Sequence, residues 1–302
     1  MAGLKAIKIK IRSIEKTGTV TKAMEAVSAA KMRRAQGVAL RGRAYARAAV
    51  SILARVSGAR EMASHPLTRA VEAAPVLYIV ITADRGLAGA LNSAVLRAVW
   101  AEVRHEPQNA RVIAVGRKAN DFFLKRGVTV DIFHHNTDEI SSELVHELVG
   151  ASARKFMQGE VGTVKIAYQN FISTFEQRPT IRTIFPLSLE ELSAVVGDIA
   201  PVRGALAQSR TPDVQPATYT IEPGEKEVLD VILPRLASIF VYHALLETQA
   251  SEHSARMVAM KSATDKAWER SHELTIDYNK ARQAAITREV SEITGGMEAM
   301  TV

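Results

Sequence analysis

Apolar residues near the start of the chain recur at helical spacing. Leu4, Ile7, Ile11 and Ile14 step by 3, 4 and 3, and Val20, Met24, Val27 and Ala30 continue an apolar stripe after a slip at Gly18. Ile7, Ile9 and Ile11 alone would also suit a strand. The Ala-, Lys-, Arg- and Met-rich run that follows is built of good helix formers, so the pattern predicts a helix. Near the other end, Leu236, Ile239, His243 and Leu246 step by 3, 4 and 3, and the register runs on through Met257, Met260, Thr264, Ala267, Ser271, Leu274, Tyr278 and Ala281. This is a heptad seam with small and polar members, thinner than a leucine seam that would bind tightly and permanently. Ile286, Val290, Ile293, Met297 and Met300 then carry an apolar stripe, in steps of 4, 3, 4 and 3, to the last residues. Chain ends ordinarily fray, so such a stripe predicts an end held in an apolar socket.

All ten prolines fall between Pro66 and Pro234. Both ends therefore lack the strongest helix breaker. Gly18, Gly37, Gly42 and Gly58 weaken the first helix locally, by about 1 kcal/mol each relative to Ala. At 1.5 Å per residue either terminal helix could approach ~100 Å, well beyond the ~30 Å of a small domain. The rest of the chain cannot cover two such helices. The predicted arrangement packs them against each other, antiparallel, as a coiled coil that joins the two ends.

Between them the periodicity changes. Short β-rich runs at 75–82, 111–116, 128–133, 163–171 and 180–187 alternate with helical patterns at 87–105, 117–127 and 141–159, where Ser141 is a plausible N-cap and Gly127 a stop. The last two strands are expected to be neighbours. Repeated β-α-β units predict a mostly parallel, Rossmann-like sheet with helices on both faces. The expected organisation is α/β with long helices: residues 1–65 as half of the coiled coil, an inserted α/β domain at 75–187, an irregular connection at 188–224, and the second half at 225–302.

Composition narrows the chemistry. Apolar residues make up 47% of the 302, enough for a core, while aromatics at 5% suit thin, closely packed helices. Cysteine is absent, which removes disulfides, thiolate metal sites and thiol nucleophiles. No run approaches the ~18 apolar residues that span a bilayer. The first residues also lack the continuous apolar core of a secretory signal, so a soluble, intracellular protein is expected. The net charge is +7, and residues 1–65 hold 14 Lys and Arg against 3 Asp and Glu. A basic arm on a near-neutral body points to an acidic partner, unless it is simply a solvated helix face.

Candidate sites are few. The first strand leads into ADRGLAGALN (83–92), which holds Gly86 and Gly89 but neither phosphate-binding fingerprint. Asp84 would put a carboxylate where a pyrophosphate should sit. The structural alternative is that Asp84 and Asn92 tie down a turn and the glycines allow close packing. His134 and His135 are adjacent, and His243 and His253 lie ten apart with no carboxylate at ligand spacing, so surface or satisfied histidines are expected rather than a metal site. KMRR (31–34), Arg41, Arg43 and Arg47 form a basic stripe, but Tyr45 is the only aromatic in 1–65, so no stacking platform for nucleic acid is present.

Three segments, in order, carry a specific resemblance. VTKAMEAVSAAKMRRAQ (20–36) resembles the N-terminal helix of the F-type ATP synthase γ subunit, ITADRGLAGALN (81–92) its central-domain segment, and HSARMVAMKSATDKA (253–267) with LTIDYNKARQAAITREVSEITGGMEAM (274–300) its C-terminal helix. Ala88 stands where the family often has Cys, Asp265 where Asn is frequent, and Met297 where Ala is usual. No chloroplast-type cysteine insert and no transit peptide is present, so a bacterial form, peripheral to the cytoplasmic face of the inner membrane, is implied.

The resemblance implies a central rotor shaft that transmits torque between the membrane c ring and the catalytic sites of a hexamer of three α and three β subunits. The α/β domain would grip the ε subunit and the c ring. The chain would catalyse nothing, hold no cofactor or metal, and meet the membrane only through the complex. Matching motif positions imply hexamer contacts or their support at Lys22, Met24, Arg256, Arg282, Gln283, Thr287 and Glu289, and an apolar bearing at Ile286, Val290 and Ile293. Lys22, Arg256 and Arg282 suit charge-assisted hydrogen bonds, and Met24 suits changing neighbours. The competing readings are ordinary surface or intra-shaft residues, and a nucleotide-binding α/β enzyme with a coiled-coil interaction arm.

Overall fold

The structure, a computed structural model, describes residues 2–56, 65–69, 75–188 and 224–300. The expected connection at 188–224 therefore lies almost wholly outside the described residues. Helix α1 is Ala2–Val56 and the last helix, α5, is Glu225–Met300. Between them come β1 (Val76–Ile81), α2 (Leu91–Val103), β2 (Ala110–Val115), α3 (Arg117–Leu124), β3 (Thr129–His134), α4 (Ser142–Met157), β4 (Thr163–Phe171) and β5 (Gln177–Phe185). The chain divides into two compact units, Met1–Ala29 with Arg256–Val302, and Ala30–Ala255.

The second unit is built on one five-stranded sheet of order β3-β2-β1-β4-β5, parallel except for the antiparallel β4–β5 pair. Alternation along β1 sorts the core. Leu77, Ile79 and Ile81 face a cluster with Leu148 and Phe156 of α4 and Leu229 to Leu245 of α5. Tyr78 and Val80 face the other cluster, with Val95 and Val99 of α2 and Phe123 of α3. Both faces are covered, which is why these strands read as continuous apolar runs. Phe156 stacks on Phe185 at 5.6 Å between ring centres. Truncating a ring of this kind to Ala costs about 3–5 kcal/mol. Ser141 caps α4 as expected, its hydroxyl accepting the Leu144 N–H at 3.2 Å.

Helix α5 runs straight through Pro234. The missing N–H costs about 3 kcal/mol, but Leu229, Leu233, Leu236 and Ala237 around it are buried in the sheet core. Pro234 is therefore no helix boundary. An 18-residue window of this helix reaches a mean hydropathy of 1.6, half of it buried. That corrects the expectation that no segment approaches membrane-spanning apolarity; burial in the core accounts for it.

The first unit is an antiparallel helix pair. Thr21 and Thr264 hydroxyls share a buried hydrogen bond at 2.7 Å, and the Ser271 hydroxyl donates to Glu15 Oε1 at 3.3 Å. The α5 seam is as predicted: Met260, Thr264, Ala267, Ser271 and Leu274 are buried, with Tyr278 and Ala281 half-buried. The α1 seam is not. Leu4, Ile7, Ile11 and Ile14 pass without a slip into Gly18, Thr21 and Ser28, which are buried, while Val20 and Val27 are 58% and 56% exposed. Gly18 sits against Ala267 and under the Trp268 ring, so its missing side chain makes room for both.

The glycine that sheet packing requires is Gly116, between β2 and α3. Its φ is +98°, and a Cβ there would lie 2.0 Å from the Thr82 carbonyl oxygen. Gly86 has open space, and Gly89 serves a turn at φ +57° with nothing close, so the expected close packing at those two is not found. Gly116→Ala should cost at least about 3 kcal/mol, while Gly86→Ala stays within about 0.5 kcal/mol. Chemical denaturation midpoints of the two variants test the contrast.

Candidate functional site

Open parallel sheets take ligands where the strand order reverses, outside the carboxyl ends of the strands. Here that point lies between β1 and β4. Polar groups beside that point, at the start of α3 and in the turn after β1, are already engaged. Asp84 Oδ1 accepts the Arg117 N–H at the start of α3 (2.7 Å), Thr82 Oγ1 accepts the Ala119 N–H (2.9 Å), and Asn92 Oδ1 accepts the Ala83 N–H (2.8 Å). Asp84 and Asn92 thus tie down the turn. On the β4 side, α5 supplies Thr248, Ser251 and Ser254, all fully buried. The crevice is filled by this chain's own helix.

The four histidines singled out in the sequence lie beside carboxylates. His135 Nδ1 lies 3.0 Å from Asp84, and His134 lies 3.5 Å from Glu147. His243 and His253 do meet carboxylates, Glu247 one helical turn on at 3.5 Å and Asp138 at 3.6 Å. Their expected isolation from acids is corrected. The basic stripe is partly spent inside the second unit: Lys31 donates to Asp138 at 2.5 Å and Arg34 lies 3.6 Å from Glu139. The Lys31 ammonium holds the Asp138 carboxyl below the usual carboxylate range.

All ten residues singled out by motif lie in the helix pair, but not together. Lys22 is exposed and bonded to Glu25 at 3.1 Å; Met24 is half-buried, its carbonyl accepting the Ser28 hydroxyl. Arg256 is half-buried. Arg282, Gln283, Thr287 and Glu289 are exposed on α5. In the Thr21–Thr264 register, Lys22 and Arg282 stand roughly 30 Å apart along the axis. Extending that register to the start of α1 places the partner of Ala2 near Gln283. Ile286, Val290 and Ile293 therefore lie past the end of α1, and they are 51%, 54% and 65% exposed, with Met297 at 65%. Sequence reasoning missed two exposed features of this unit, Trp268 over Gly18 and the outward Val20 and Val27. An apolar residue off the 3-4 seam was the available signal.

A family model described as ATP synthase matches residues 3–300. The chain is 38% identical to the ATP synthase gamma chain of Heliobacterium modesticaldum over 301 residues, covering 99% of this chain and 100% of that one. The gamma chain of Pelotomaculum thermopropionicum is also 38% identical, with the same coverage. Among solved structures, a chain of the Euglena gracilis mitochondrial ATP synthase (OSCP/F1/c-ring) is similar at TM-score 0.67 and 20% identity, covering 99% of this chain and 95% of that one. A chain of the Tetrahymena thermophila mitochondrial ATP synthase central stalk and c ring has TM-score 0.61 and 19% identity, covering 81% and 99%. At those identities the likeness is one of fold.

Two outcomes follow from the geometry. Each hydroxyl also lies within bonding distance of a carbonyl on its own helix, Thr21 of Gly18 (3.0 Å) and Thr264 of Met260 (2.9 Å), so Thr21→Val or Thr264→Val removes only the bond between the helices and should cost about 0.5–1.5 kcal/mol, with little further loss in the double variant; unfolding of all three variants measures the coupling. The Asp138 carboxyl, lowered in the folded chain, adds stability above the unfolded value near pH 4 and loses it as pH falls through the folded value. Because that side chain is 61% exposed, Asp138→Asn should cost only about 0.5 kcal/mol at neutral pH and nothing in high salt, read from melting curves.

Proposed function

The chain belongs to the ATP synthase gamma chain family, and from that premise we propose that it is the central rotor shaft of a bacterial ATP synthase, carrying torque between the membrane c ring and a hexamer of three α and three β subunits. The observation that carries the reading is the end of α5. Four large apolar side chains, Ile286, Val290, Ile293 and Met297, stand at least half exposed near the end of α5. Leaving them about half exposed forgoes roughly 1 kcal/mol each. A ring of subunits enclosing that end as an apolar bearing recovers this without gripping any one polar group. Arg282, Gln283, Thr287 and Glu289 stand beside the stripe, suited to polar contacts with successive subunits as the shaft turns.

Lys22, Met24 and Arg256 form further contacts, or support them, nearer the sheet unit in sequence. The basic first helix meets acidic surfaces of the hexamer. The sheet unit meets the ε subunit and the c ring, on the cytoplasmic side of the inner membrane. In this reading the chain performs no chemistry; nucleotide turnover belongs to the β subunits. An asymmetric shaft biases their three sites differently at each angle. The rival enzyme reading finds no support at the sheet, where Asp84 and Thr82 already occupy the α3 amides.

The chain should co-purify at one copy per three α and three β subunits. Titrating the isolated chain with ATP and NAD should give no heat, and micromolar binding would revive the enzyme reading. Arg282→Ala with Gln283→Ala should lower ATP turnover of the complex several-fold while shifting the stability of this chain by less than about 0.5 kcal/mol, since both are exposed and off the seam. Unchanged turnover in that double variant would remove their assigned role.

A further inference from the structure

Gln169 of β4 is an unusual sheet residue. Its antiparallel partner on β5 is Pro179, which has no N–H, so its own main-chain groups point the other way, toward β1. But β1 pairs with β4 only as far as Val80 and Ala167. Gln169 would be left with a bare N–H and C=O in a buried place, 1% exposed. Helix α5 supplies what the missing strand does not. Thr248 Oγ1 accepts the Gln169 N–H at 3.3 Å while donating to the Ala244 carbonyl, and the Ser251 hydroxyl donates to the Gln169 carbonyl at 3.3 Å. One turn on, the Ser254 hydroxyl donates to the Thr174 carbonyl in the β4–β5 hairpin at 2.6 Å. The Gln169 side chain completes the bracket, its Nε2 donating to the Leu91 carbonyl at the start of α2 at 2.7 Å. The three hydroxyl residues are fully buried and spaced by three, on one face of α5. Gln249, beside them, donates to the Thr137 carbonyl after β3 at 2.7 Å.

We propose that Thr248, Ser251 and Ser254 are positioning residues for torque transfer: the crevice where doubly wound sheets take ligands is used here as the socket that makes α5 and the sheet turn as one body. The inference rests on the rotor-shaft reading. Helices held to a sheet by apolar packing alone can shear by small sliding motions, because that packing is non-directional. Hydrogen bonds to fixed main-chain atoms are directional, and breaking one here leaves a buried partner unsatisfied. The hydroxyl face thus adds resistance to slip that apolar contacts do not supply. Without it, rotation driven by ATP hydrolysis would reach α5 but pass only partly into the sheet.

The test uses the whole ATP synthase reconstituted in vesicles, with Thr248→Val, Ser251→Ala and Ser254→Ala combined. The expected result is an assembled complex that hydrolyses ATP at the unaltered rate but pumps several-fold fewer protons per ATP. Thr248→Ser, which keeps the hydroxyl, should retain pumping. Unaltered protons per ATP in the assembled triple variant would overturn the proposal. Should the triple variant fail to assemble, a cross-link decides. Thr174→Cys with Ser254→Cys, in a complex otherwise free of cysteine, removes the Ser254 hydroxyl and should pump less well when reduced, then recover when oxidation closes the joint covalently. Pumping lost on oxidation and restored by reduction would overturn it. If instead the unaltered chain fails to join the hexamer, it is the shaft reading that fails.

Discussion

The hydroxyl pair Thr21–Thr264, together with Ser271 and Glu15, fixes which residue of one chain end faces which residue of the other, and the features of the helix pair follow from that register. An apolar heptad seam can slip by a heptad at modest cost because one apolar knob replaces another. Thr21 and Thr264 each keep a carbonyl of their own helix, Gly18 or Met260, so a slip forfeits the bond between the helices, about 0.5–1.5 kcal/mol. A polar seam position thus adds little adhesion but favours one register, the role a single buried polar residue plays in a coiled coil. Moving the register by one heptad would set Thr21 against Ser271 or Met257 and would lengthen or shorten the single-helix end past Ala2 by two turns.

How much of this was legible in the sequence depends on what each helix packs against. The α5 seam was readable from Met260 to Ala281 because its 3-4 spacing persists over many turns, even with Thr264 and Ser271 among its members. The α1 seam was misread midway. Val20 and Val27 looked like core and Gly18 looked like a slip, yet Gly18, Thr21 and Ser28 are the buried ones. Hydrophobicity was the wrong guide because the facing residues, Ala267 and Thr264, leave room only for small side chains. Spacing alone, carried straight through Gly18, would have found them. The glycines tell a similar story. The loop glycines drew attention by their clustering, but Gly116 is the one whose absent Cβ matters, since only the fold brings the Thr82 carbonyl against it.

The strands were legible for a different reason. Both faces of the sheet are covered, so β1, β2 and β4 are apolar on consecutive residues, and bounding turns mark them off. What could not be read was their use. A Rossmann-like order invites a ligand at the reversal between β1 and β4, and sequence argued against a nucleotide only from missing glycines and an awkward Asp84. The geometry gives a positive reason. Asp84 and Thr82 serve the α3 amides, and Thr248 and Ser251 serve Gln169. Those hydroxyls come from far along the chain, so no local pattern could announce them, although hydroxyl residues at 248, 251 and 254 in an otherwise apolar helix face were a visible anomaly.

Taken together, the two kinds of buried hydroxyl suit opposite demands on one helix. In the pair, Thr264 and Ser271 meet side chains on another helix, which fixes register with little adhesion and leaves the outer surface free to pass successive partners. In the sheet unit, Thr248, Ser251 and Ser254 meet main-chain atoms, which cannot rotate away from them. In the proposed reading, a helix that slides past partners in one unit and is gripped in the other needs directional bonds where it is gripped and few adhesive groups where it turns. Apolar packing alone would give neither contrast, because it holds in proportion to area wherever area is buried. In the proposed shaft reading, the exposed stripe at Ile286 to Met297 fits the same logic: apolar contact, being non-directional, does not favour a particular angle of rotation.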